Sequence, residues 1–244
     1  IISFFMIFLP ANQYKSLDVK QNRVIESFFM PNWIRLLFIV QVGIVYVFAA
    51  SAKLYPDWLD GSFTKNLLLG TTSNTYFVAV FSQKWFYLFI AYMGIVFDLL
   101  IVPLLLFKKT RMLALLASLT FHLFNAIFLE IGIFPFFALT FALFFYEPET
   151  IRSVFLREKT SIVTENGHSN YYGKKIVYFL IIPYLIIQLL LPLRHHFIEG
   201  DVLWTEEGHR LSWRMMLRER SGFIHIRIKD LKTGKLSVYD YRKN

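Results

Sequence analysis

Residues 33–55 have the sequence WIRLLFIVQVGIVYVFAASAKLY. This nearly uninterrupted apolar run is long enough for an α-helix that crosses the roughly 30 Å hydrocarbon core of a bilayer. Lys53 stands close to its end. A charged lysine is costly at membrane depth, so its side chain must reach water, find a partner or give up its proton. The last outcome leaves a neutral amine, which is a base.

The composition predicts that the whole chain is embedded in a membrane. Of its 244 residues, 56% are hydrophobic and 18% aromatic, and the mean hydropathy is +0.48. These values are too apolar for an ordinary soluble domain. The net charge of +9 could indicate nucleic-acid binding. Membrane proteins, however, collect Lys and Arg in their cytoplasmic loops, and we therefore expect no nucleic-acid partner. The chain lacks cysteine, which excludes disulfides and thiolate metal sites.

Hydropathy predicts six helices in the membrane, the first of which is truncated. The predicted ranges are residues 1–9, 33–55, 86–107, 112–130, 133–146 and 175–193. Residues 63–84 are more mixed in polarity, which is typical of an interfacial or re-entrant segment. The sequence begins and stops abruptly, so we expect an internal fragment that is inactive by itself.

Residues 223–241 alternate apolar and polar side chains around a Lys-Thr-Gly turn, a pattern that predicts a β-hairpin. Because a lone hairpin is only marginally stable, we expect further strands after it. The predicted fold is an all-α polytopic membrane helical bundle over residues 1–193. Residues 194–244 are predicted to form a lumenal or periplasmic segment that begins a β-rich domain.

Basic residues are concentrated on one side of the predicted bundle. They are Lys15, Lys20, Arg23, Arg35, Lys108, Lys109, Arg111, Arg152, Arg157, Lys159, Lys174 and Lys175. Short loops rich in Lys and Arg face the cytoplasm. Lys53 and the residues after 193 are therefore predicted to face the lumen or periplasm.

The surroundings of Lys53 leave two interpretations open. Its side chain can extend to the headgroups or pair with Asp57, one helical turn later, and either contact would be structural. Lys53 also shares one helical stripe with Tyr46, Ala49 and Ala50, because residues three and four apart lie on the same face. There the alanines leave space and the tyrosine provides an aromatic wall. This stripe suits a pocket for a flat ligand, and it also suits close helix packing.

Three further polar residues lie inside the predicted spans. Asp98 is near the middle of the 86–107 helix, while His122 and Asn125 are three residues apart and share a face of the next helix. Ionisable groups at membrane depth favour a functional hypothesis. Such groups also hydrogen-bond between helices simply to hold a bundle together, so both interpretations stay open.

The segment after the last predicted helix is rich in Trp, His and Arg, which are favoured at the headgroup level, so it can be an interfacial collar. Its run Ser212-Trp213-Arg214-Met215-Met216 combines adaptable apolar side chains with a guanidinium. That combination also suits an apolar ligand and a carboxylate. His195 and His196 are adjacent and would point apart, so we expect no metal site.

Three groups of residues form a joint pattern along the chain. They are Ala52-Lys53-Leu-Tyr-Pro-Asp57-Trp58, then Phe121-His122-x-x-Asn125 with Ile131-Gly132-Ile-Phe134, then Leu191-Pro192…His195…Gly200…Trp204-Thr205…Ser212-Trp213-x-Met215-Met216…Arg220. Residues 11–18 and Asp98 fit the same pattern. It resembles the vitamin K-dependent γ-glutamyl carboxylase family and its bacterial relatives. The resemblance runs in order along most of the chain, so it is more specific than any one motif.

The resemblance implies a polytopic helical membrane enzyme with a lumenal β-rich domain. Such an enzyme oxidises vitamin K hydroquinone to the epoxide with O2 and uses that reaction to carboxylate protein-bound glutamate with CO2. Lys53 matches the family's catalytic lysine, whose neutral amine takes a proton from the hydroquinone. A strongly basic oxygenated intermediate then removes the glutamate γ-proton before CO2 adds. The implied partners are membrane lipid, a vitamin K-type quinol and a glutamate-containing protein or peptide.

The resemblance also implies roles for other side chains. Residues expected near the quinone are Tyr46, His122, Asn125, Trp213, Met215 and Met216. Ser212 and Arg220 are expected to bind the substrate glutamate, and Asp98, His195 and Trp204 to support the site. Two other classes of function stay open: a quinone- or lipid-binding relative that carboxylates nothing, and a structural or transport bundle.

Overall fold

The structure, a computed structural model, describes residues 9, 12–13, 16–24, 31–72, 74–129, 132–156, 175–214, 226–229, 234 and 236–239. Most of the described chain is helical. In chain order the α-helices are α1 (Leu17–Lys20), α2 (Asn32–Ala52), α3 (Pro56–Leu59), α4 (Ser62–Gly70), α5 (Thr75–Phe81), α6 (Lys84–Leu106), α7 (Arg111–Phe128), α8 (Phe134–Phe141), α9 (Pro148–Ile151), α10 (Ile182–Leu190) and α11 (Val202–Thr205). Ala142–Phe145 and Leu191–Phe197 are 3₁₀ helices, and Arg152–Leu156 and Val177–Ile181 are π-helical.

Four helical stretches are long and apolar enough to cross a membrane: Asn32–Ala52, Lys84–Leu106, Arg111–Phe128 and Val177–Phe197. They confirm a polytopic all-α membrane bundle and coincide with four of the six predicted helices. The stretch predicted at 133–146 is a shorter apolar helix, Phe134–Phe145. Of the predicted first helix, residues 1–9, only Leu9 lies among the described residues.

Helices α2 and α6 pack together at the centre of the bundle. The buried cluster there consists of Ile39, Val42, Phe97, Ile101, Leu105, Ala114, Ala142 and Phe145. The 3₁₀ helix after α8 covers one side, where the Phe38 and Phe144 rings stack with centroids 4.4 Å apart. Arg35 holds this 3₁₀ helix in place, because its guanidinium donates to the carbonyls of Phe144 (2.8 Å) and Phe145 (3.2 Å). These bonds satisfy carbonyls that a helix end otherwise leaves free.

Helix α2 ends at Ala52, three residues before the predicted boundary. Pro56 explains the early end, because the residue before a proline is pushed out of the helical conformation. Tyr55 is accordingly extended, with φ −128° and ψ 159°. Pro56 itself occupies the start of α3, where its missing N–H is not needed. The chain therefore turns sharply just after Lys53.

Residues 54–72 and 74–82, which we call the re-entrant segment, fold back along the first half of α6. The Trp58 indole donates to the Ala91 carbonyl (2.9 Å), and the Tyr92 hydroxyl donates to the Leu59 carbonyl (3.1 Å). Farther along, the rings of Phe81 and Phe86 stack at 5.4 Å. The described part of the segment consists of the short helices α3, α4 and α5. Residues 63–84, whose mixed polarity predicted an interfacial or re-entrant segment, contain most of α4 and all of α5.

Gly61 lets the re-entrant segment approach α6 closely. Its φ is +79°, and a Cβ at this position would lie 2.6 Å from the Tyr87 ring. Gly132 has a similar φ of +66° but has nothing within 4 Å of its Cβ position. Both Gly61→Ala and Gly132→Ala should lose about 1–2 kcal/mol of stability from the left-handed backbone. Gly61→Ala should lose about 1–3 kcal/mol more from the clash with α6.

Thermal unfolding of the two variants in the same detergent measures this difference. Equal losses would mean that the re-entrant segment shifts away from α6 without cost, contrary to the contact at Gly61.

Two short strands lie at the position of the predicted hairpin. Strand β1 (Ile226–Lys229) pairs antiparallel with β2 (Leu236–Tyr239), with Ile226 opposite Tyr239. Gly234 precedes β2 with φ +70°, a turn conformation that glycine adopts without strain. The described part of the chain contains no third strand, so a larger β-rich domain stays a prediction.

Candidate active site around Lys53

Lys53 is paired inside the bundle rather than extended to water. Its ammonium group contacts the Asp98 carboxylate on α6 and also donates to the Ala49 carbonyl at 3.3 Å. The Lys53 and Asp98 side chains are only 13% and 5% exposed. Asp57, the partner considered from the sequence, is exposed. Of the three outcomes open to a lysine at membrane depth, the structure therefore selects a partner.

Trp58 and Gly94 shape the space around the Lys53 side chain. The amine lies 5.4 Å from the centroid of the buried Trp58 ring, within the range of a cation–π contact. On the α6 side, a Cβ at Gly94 would lie 3.9 Å from Lys53 Cε and 3.5 Å from the Trp58 ring. The absence of a side chain at Gly94 thus leaves room for both neighbours.

The amine lies well inside the membrane-spanning part of the fold. Helix α6 begins at Lys84, ten residues before Gly94. At a rise of 1.5 Å per residue, these residues span about 15 Å. The re-entrant segment packs along one side of this part of α6. Lys53 is consequently deeper than its position at the end of α2 suggests.

A second polar pair, Tyr46 and His122, lies nearby against the Phe97 ring. The Tyr46 hydroxyl and His122 Nε2 share a hydrogen bond of 3.0 Å. His122 is 2% exposed, and its Nδ1 has no hydrogen-bond partner among the described residues. The Asp98 carboxylate also acts electrostatically on the Tyr46 hydroxyl. The two polar pairs therefore meet α6 at successive residues: Tyr46 and His122 contact Phe97, and Lys53 pairs with Asp98.

Aromatic rings surround the Tyr46–His122 pair. Phe97 stacks on Phe121 with centroids 3.8 Å apart and meets Tyr46 edge-on at 6.0 Å. The His122 ring lies edge-on to Phe97 at 5.7 Å and to Phe134 at 6.5 Å. Flat aromatic surfaces around an unpaired ring nitrogen fit a planar ligand that carries an oxygen atom. The residues present are thus compatible with a quinol.

The segment after the last span folds over the same end of the bundle as Lys53. Leu203 packs against the buried cluster formed by Ala52, Trp58, Ala91 and Ile95. Within this segment, Ser212 is buried and donates its hydroxyl to the His209 carbonyl. Leu203 therefore places this part of the chain at the end of the bundle that the re-entrant segment occupies.

A family described as the HTTM domain matches residues 1–149. The chain belongs to the HTTM domain family. A second family, described as the vitamin K-dependent gamma-carboxylase lumenal domain, matches residues 173–244 of the same chain. The two matches occur in the order expected from the resemblance, and together they support the vitamin K-dependent γ-carboxylase family and a carboxylase-type function. No solved structure matches the chain.

The HTTM domain contains both polar pairs. Lys53, Asp98, Tyr46 and His122 come together in the structure, as described above. Asn125 lies one turn beyond His122 on α7 and is half-buried. The described part of the chain contains no group of three or more His, Asp or Glu side chains able to hold a metal ion.

The site residues expected outside the HTTM domain differ in how far they are buried. His195 and Trp213 are half-buried in the segment after the last span, whereas Trp204 is 85% exposed. Met215, Met216 and Arg220 lie outside the described residues.

Sequence reasoning missed the pairing of Lys53 with Asp98 and the contact of Trp58 with the amine. The rule that charges at membrane depth pair with one another would have suggested Asp98. The pair was not expected because Asp98 is near the middle of its helix and Lys53 is at the end of its own. The two side chains were therefore expected at different depths in the membrane. Trp58 belongs to the quoted motif, but nothing in the motif indicates that its ring turns back toward Lys53.

Proposed function

We propose that this protein carries out vitamin K hydroquinone-dependent carboxylation of protein glutamate, coupled to quinol epoxidation, with Lys53 as the base. One observation carries the proposal: the Lys53 amine is held largely out of water, against Asp98 and within cation–π range of Trp58. A general base must be desolvated and positioned. A dry enclosure also protects a strong base from being quenched by water.

The Lys53–Asp98 pair provides a route for the proton. When the carboxylate takes the shared proton, Lys53 becomes a neutral amine without any change in the net charge of the pair. Lys53 Nζ then accepts the hydroxyl proton of the quinol, and the resulting ammonium offsets the negative charge left behind. Asp98 holds its proton meanwhile. The site therefore stays neutral at each step, which matters because an isolated buried charge is expensive.

The quinol supplies the oxidation chemistry: its reaction with O2 gives the epoxide and provides the base that removes the glutamate γ-proton before CO2 adds. The residues proposed to hold it are Tyr46, His122, Asn125, Trp213, Met215 and Met216. His122 Nδ1 offers an unpaired ring nitrogen to a ligand oxygen. Ser212 and Arg220 are proposed for the substrate glutamate, with His195 and Trp204 as supporting residues.

We also propose that Lys53 and residues 194–244 face the lumen or periplasm and that the membrane part ends at residue 193. The distribution of basic loops supports this orientation. The lumenal-domain match and the packing of Leu203 on the Lys53 end support it further.

Quinol epoxidation and CO2 fixation by the full-length protein test the proposed function. We expect epoxide formation from vitamin K hydroquinone and incorporation of labelled CO2 into a glutamate peptide. Epoxide without CO2 incorporation would indicate quinol chemistry without carboxylation. The absence of both, in protein that is folded and reconstituted in lipid, would contradict the proposal.

One observation favours a second candidate function. The Lys53–Asp98 pair compensates both charges inside the bundle. An ion pair of this kind can join two helices without having any catalytic role. A quinone- or lipid-binding relative, or a structural or transport bundle, would have the same pair. Such a protein would bind the quinol or lipid, or neither, and would form no epoxide.

A further inference from the structure

Three positively charged side chains contact four consecutive residues, which end at Glu147. We call them the basic cluster; they are Arg35 on α2, Lys108 in the turn between α6 and α7, and Arg111 at the start of α7. Arg35 donates to the first two carbonyls of this stretch. The Arg111 guanidinium lies 5.4 Å from the centroid of the Tyr146 ring, and Lys108 forms an ion pair with Glu147. These contacts bring three cations from three parts of the fold to one place.

The two guanidiniums of the basic cluster are held in fixed positions. Arg111 donates from Nε to the Leu105 carbonyl (2.9 Å) and from Nη2 to the Leu106 carbonyl (3.3 Å), at the end of α6. Arg35 is likewise bonded to two carbonyls, and both arginines are half-buried. A carbonyl accepts a hydrogen bond but carries no net charge, so each guanidinium remains a cation. Because these side chains are already ordered, they lose little conformational freedom when an anion binds.

The basic cluster lies at a membrane surface. Helices α6 and α7 are both long and apolar enough to span the membrane, so the turn between them lies outside the hydrocarbon. The re-entrant segment packs on the first half of α6, which places the cluster at the other membrane surface. Exposed apolar side chains flank the cations on both sides in the chain: Leu106, Phe107, Met112 and Leu113. Fixed cations therefore stand next to side chains that face lipid.

The electrostatics of Glu147 show that the whole cluster acts on one point. Glu147 lies outside the spanning helices. The pKa of its carboxyl is lowered, chiefly by the hydrogen bond and charge of Lys108 and further by the charges of Arg111 and Arg35. An anion placed beside Glu147 would experience the same three charges, and the carboxylate itself would compete with it for Lys108.

We propose that the basic cluster binds the phosphate of an anionic phospholipid, whose acyl chains lie along the exposed apolar side chains of α6 and α7. An arginine fork matches the geometry of a phosphate, and basic groups between spanning helices suit lipid headgroups. A phosphate joined to hydrocarbon chains satisfies the cations and their apolar neighbours together, whereas a soluble anion satisfies only the cations. The inference goes beyond the proposed function, because it involves neither the quinol nor the glutamate.

Competition between two lipids for the full-length protein tests this site. The protein in a neutral detergent is mixed with equal amounts of phosphatidylglycerol and phosphatidylcholine that have the same acyl chains. Native mass spectrometry then counts the lipid that the protein retains. Phosphatidylcholine carries its own ammonium group, so we expect the wild type to retain about tenfold more phosphatidylglycerol at low salt. Arg111→Gln should lower this ratio about fivefold, the effect of one cation beside an anionic headgroup.

Lys109→Gln is the matched control, because it removes the same charge from an exposed side chain in the same turn. It should leave the ratio nearly unchanged. Equal losses in Lys109→Gln and Arg111→Gln would indicate a general attraction by surface charge and would overturn the site. Equal retention of the two lipids by the wild type would overturn it as well.

Glu147→Gln tests the site in the opposite direction. It removes the carboxylate that competes for Lys108, so the ratio of phosphatidylglycerol to phosphatidylcholine should rise. Damage to the fold would not produce such a rise, so this variant decides the matter if Arg111→Gln no longer retains phosphatidylcholine and is therefore misfolded. An unchanged or lower ratio in Glu147→Gln contradicts the proposal.

Inorganic phosphate distinguishes a lipid headgroup from a free anion. We expect the wild type to keep its phosphatidylglycerol equally well in phosphate and in chloride of the same ionic strength. Displacement by phosphate but not by chloride would mean that the cluster takes free phosphate, and the lipid site would be wrong. Because no turnover is measured, missing epoxide or CO2 fixation would contradict only the proposed function.

Discussion

Replacing Lys53 with alanine should reduce quinol epoxidation by at least about 100-fold, since a positioned general base contributes roughly 10²–10⁴-fold. The loss follows from the position of the amine, which is the basic group enclosed by Trp58 and Asp98. Epoxide formation by the full-length protein is the measurement. Lys65→Ala is the matched control, because Lys65 lies in α4 with its amine 5.9 Å from the Tyr87 ring centroid and has no role in the proposed reaction.

Small primary amines provide a sharper version of this test. The alanine variant leaves a space beside Gly94 and Trp58 that the lysine stem occupies in the wild type. Ethylamine should restore part of the epoxidation if only the base is missing. Normal epoxidation by the alanine variant would show that Lys53 is not the base. Loss of activity in Lys65→Ala as well would indicate general damage to the fold.

Breaking the Lys53–Asp98 pair from either side should strongly destabilise the bundle. Lys53→Met or Asp98→Leu alone leaves one buried charge without its partner, at a cost of about 3–5 kcal/mol. The double variant removes both charges, and replacing a buried ion pair with apolar side chains is often close to neutral. We therefore expect the double variant to be more stable than either single variant. Thermal or denaturant unfolding in detergent measures all four proteins.

Measuring epoxidation by the same four proteins distinguishes an effect on stability from an effect on the reaction. The double variant should be folded and yet inactive, because it lacks the amine. If the two single losses simply add in the double variant, the side chains do not interact, and the pair described here is wrong. If the double variant is active, the proton route through Lys53 and Asp98 is wrong.

The main features of the membrane fold follow from the sequence because hydrocarbon imposes a strong constraint. Twenty or so apolar residues must be helical in a bilayer, and the four long helices begin and end within a few residues of their predicted limits. The largest difference at an end is at the last span, which was predicted to stop at residue 193 and continues to Phe197. The three residues by which α2 falls short of its predicted end have a local cause in Pro56. A polarity pattern likewise distinguished the re-entrant segment from a span.

The pairing inside the site did not follow from the sequence, because it depends on how far one helix is offset along another. Counting residues from the helix ends assumes that the end of α2 and the start of α6 lie at the same depth. The re-entrant segment instead packs along the first ten residues of α6, so Lys53 meets Gly94 and Asp98. The partner of Tyr46 on α7 was unpredictable for the same reason. A sequence indicates which face a side chain occupies, but the opposite helix decides what it touches.

The early end of α2 also determines whether reactants reach the site from the lipid or from the water. The spanning helices expose apolar side chains on their outer faces, so a lipid-soluble molecule can reach the bundle from the bilayer. In the proposed orientation, the re-entrant segment and residues 194–214 would instead connect the Lys53 end to water. For the proposed reaction, a quinol dissolved in lipid and a glutamate dissolved in water would meet at one interface. Neither reactant would have to cross into the other's solvent, so the protein would act as a phase-boundary catalyst rather than a carrier.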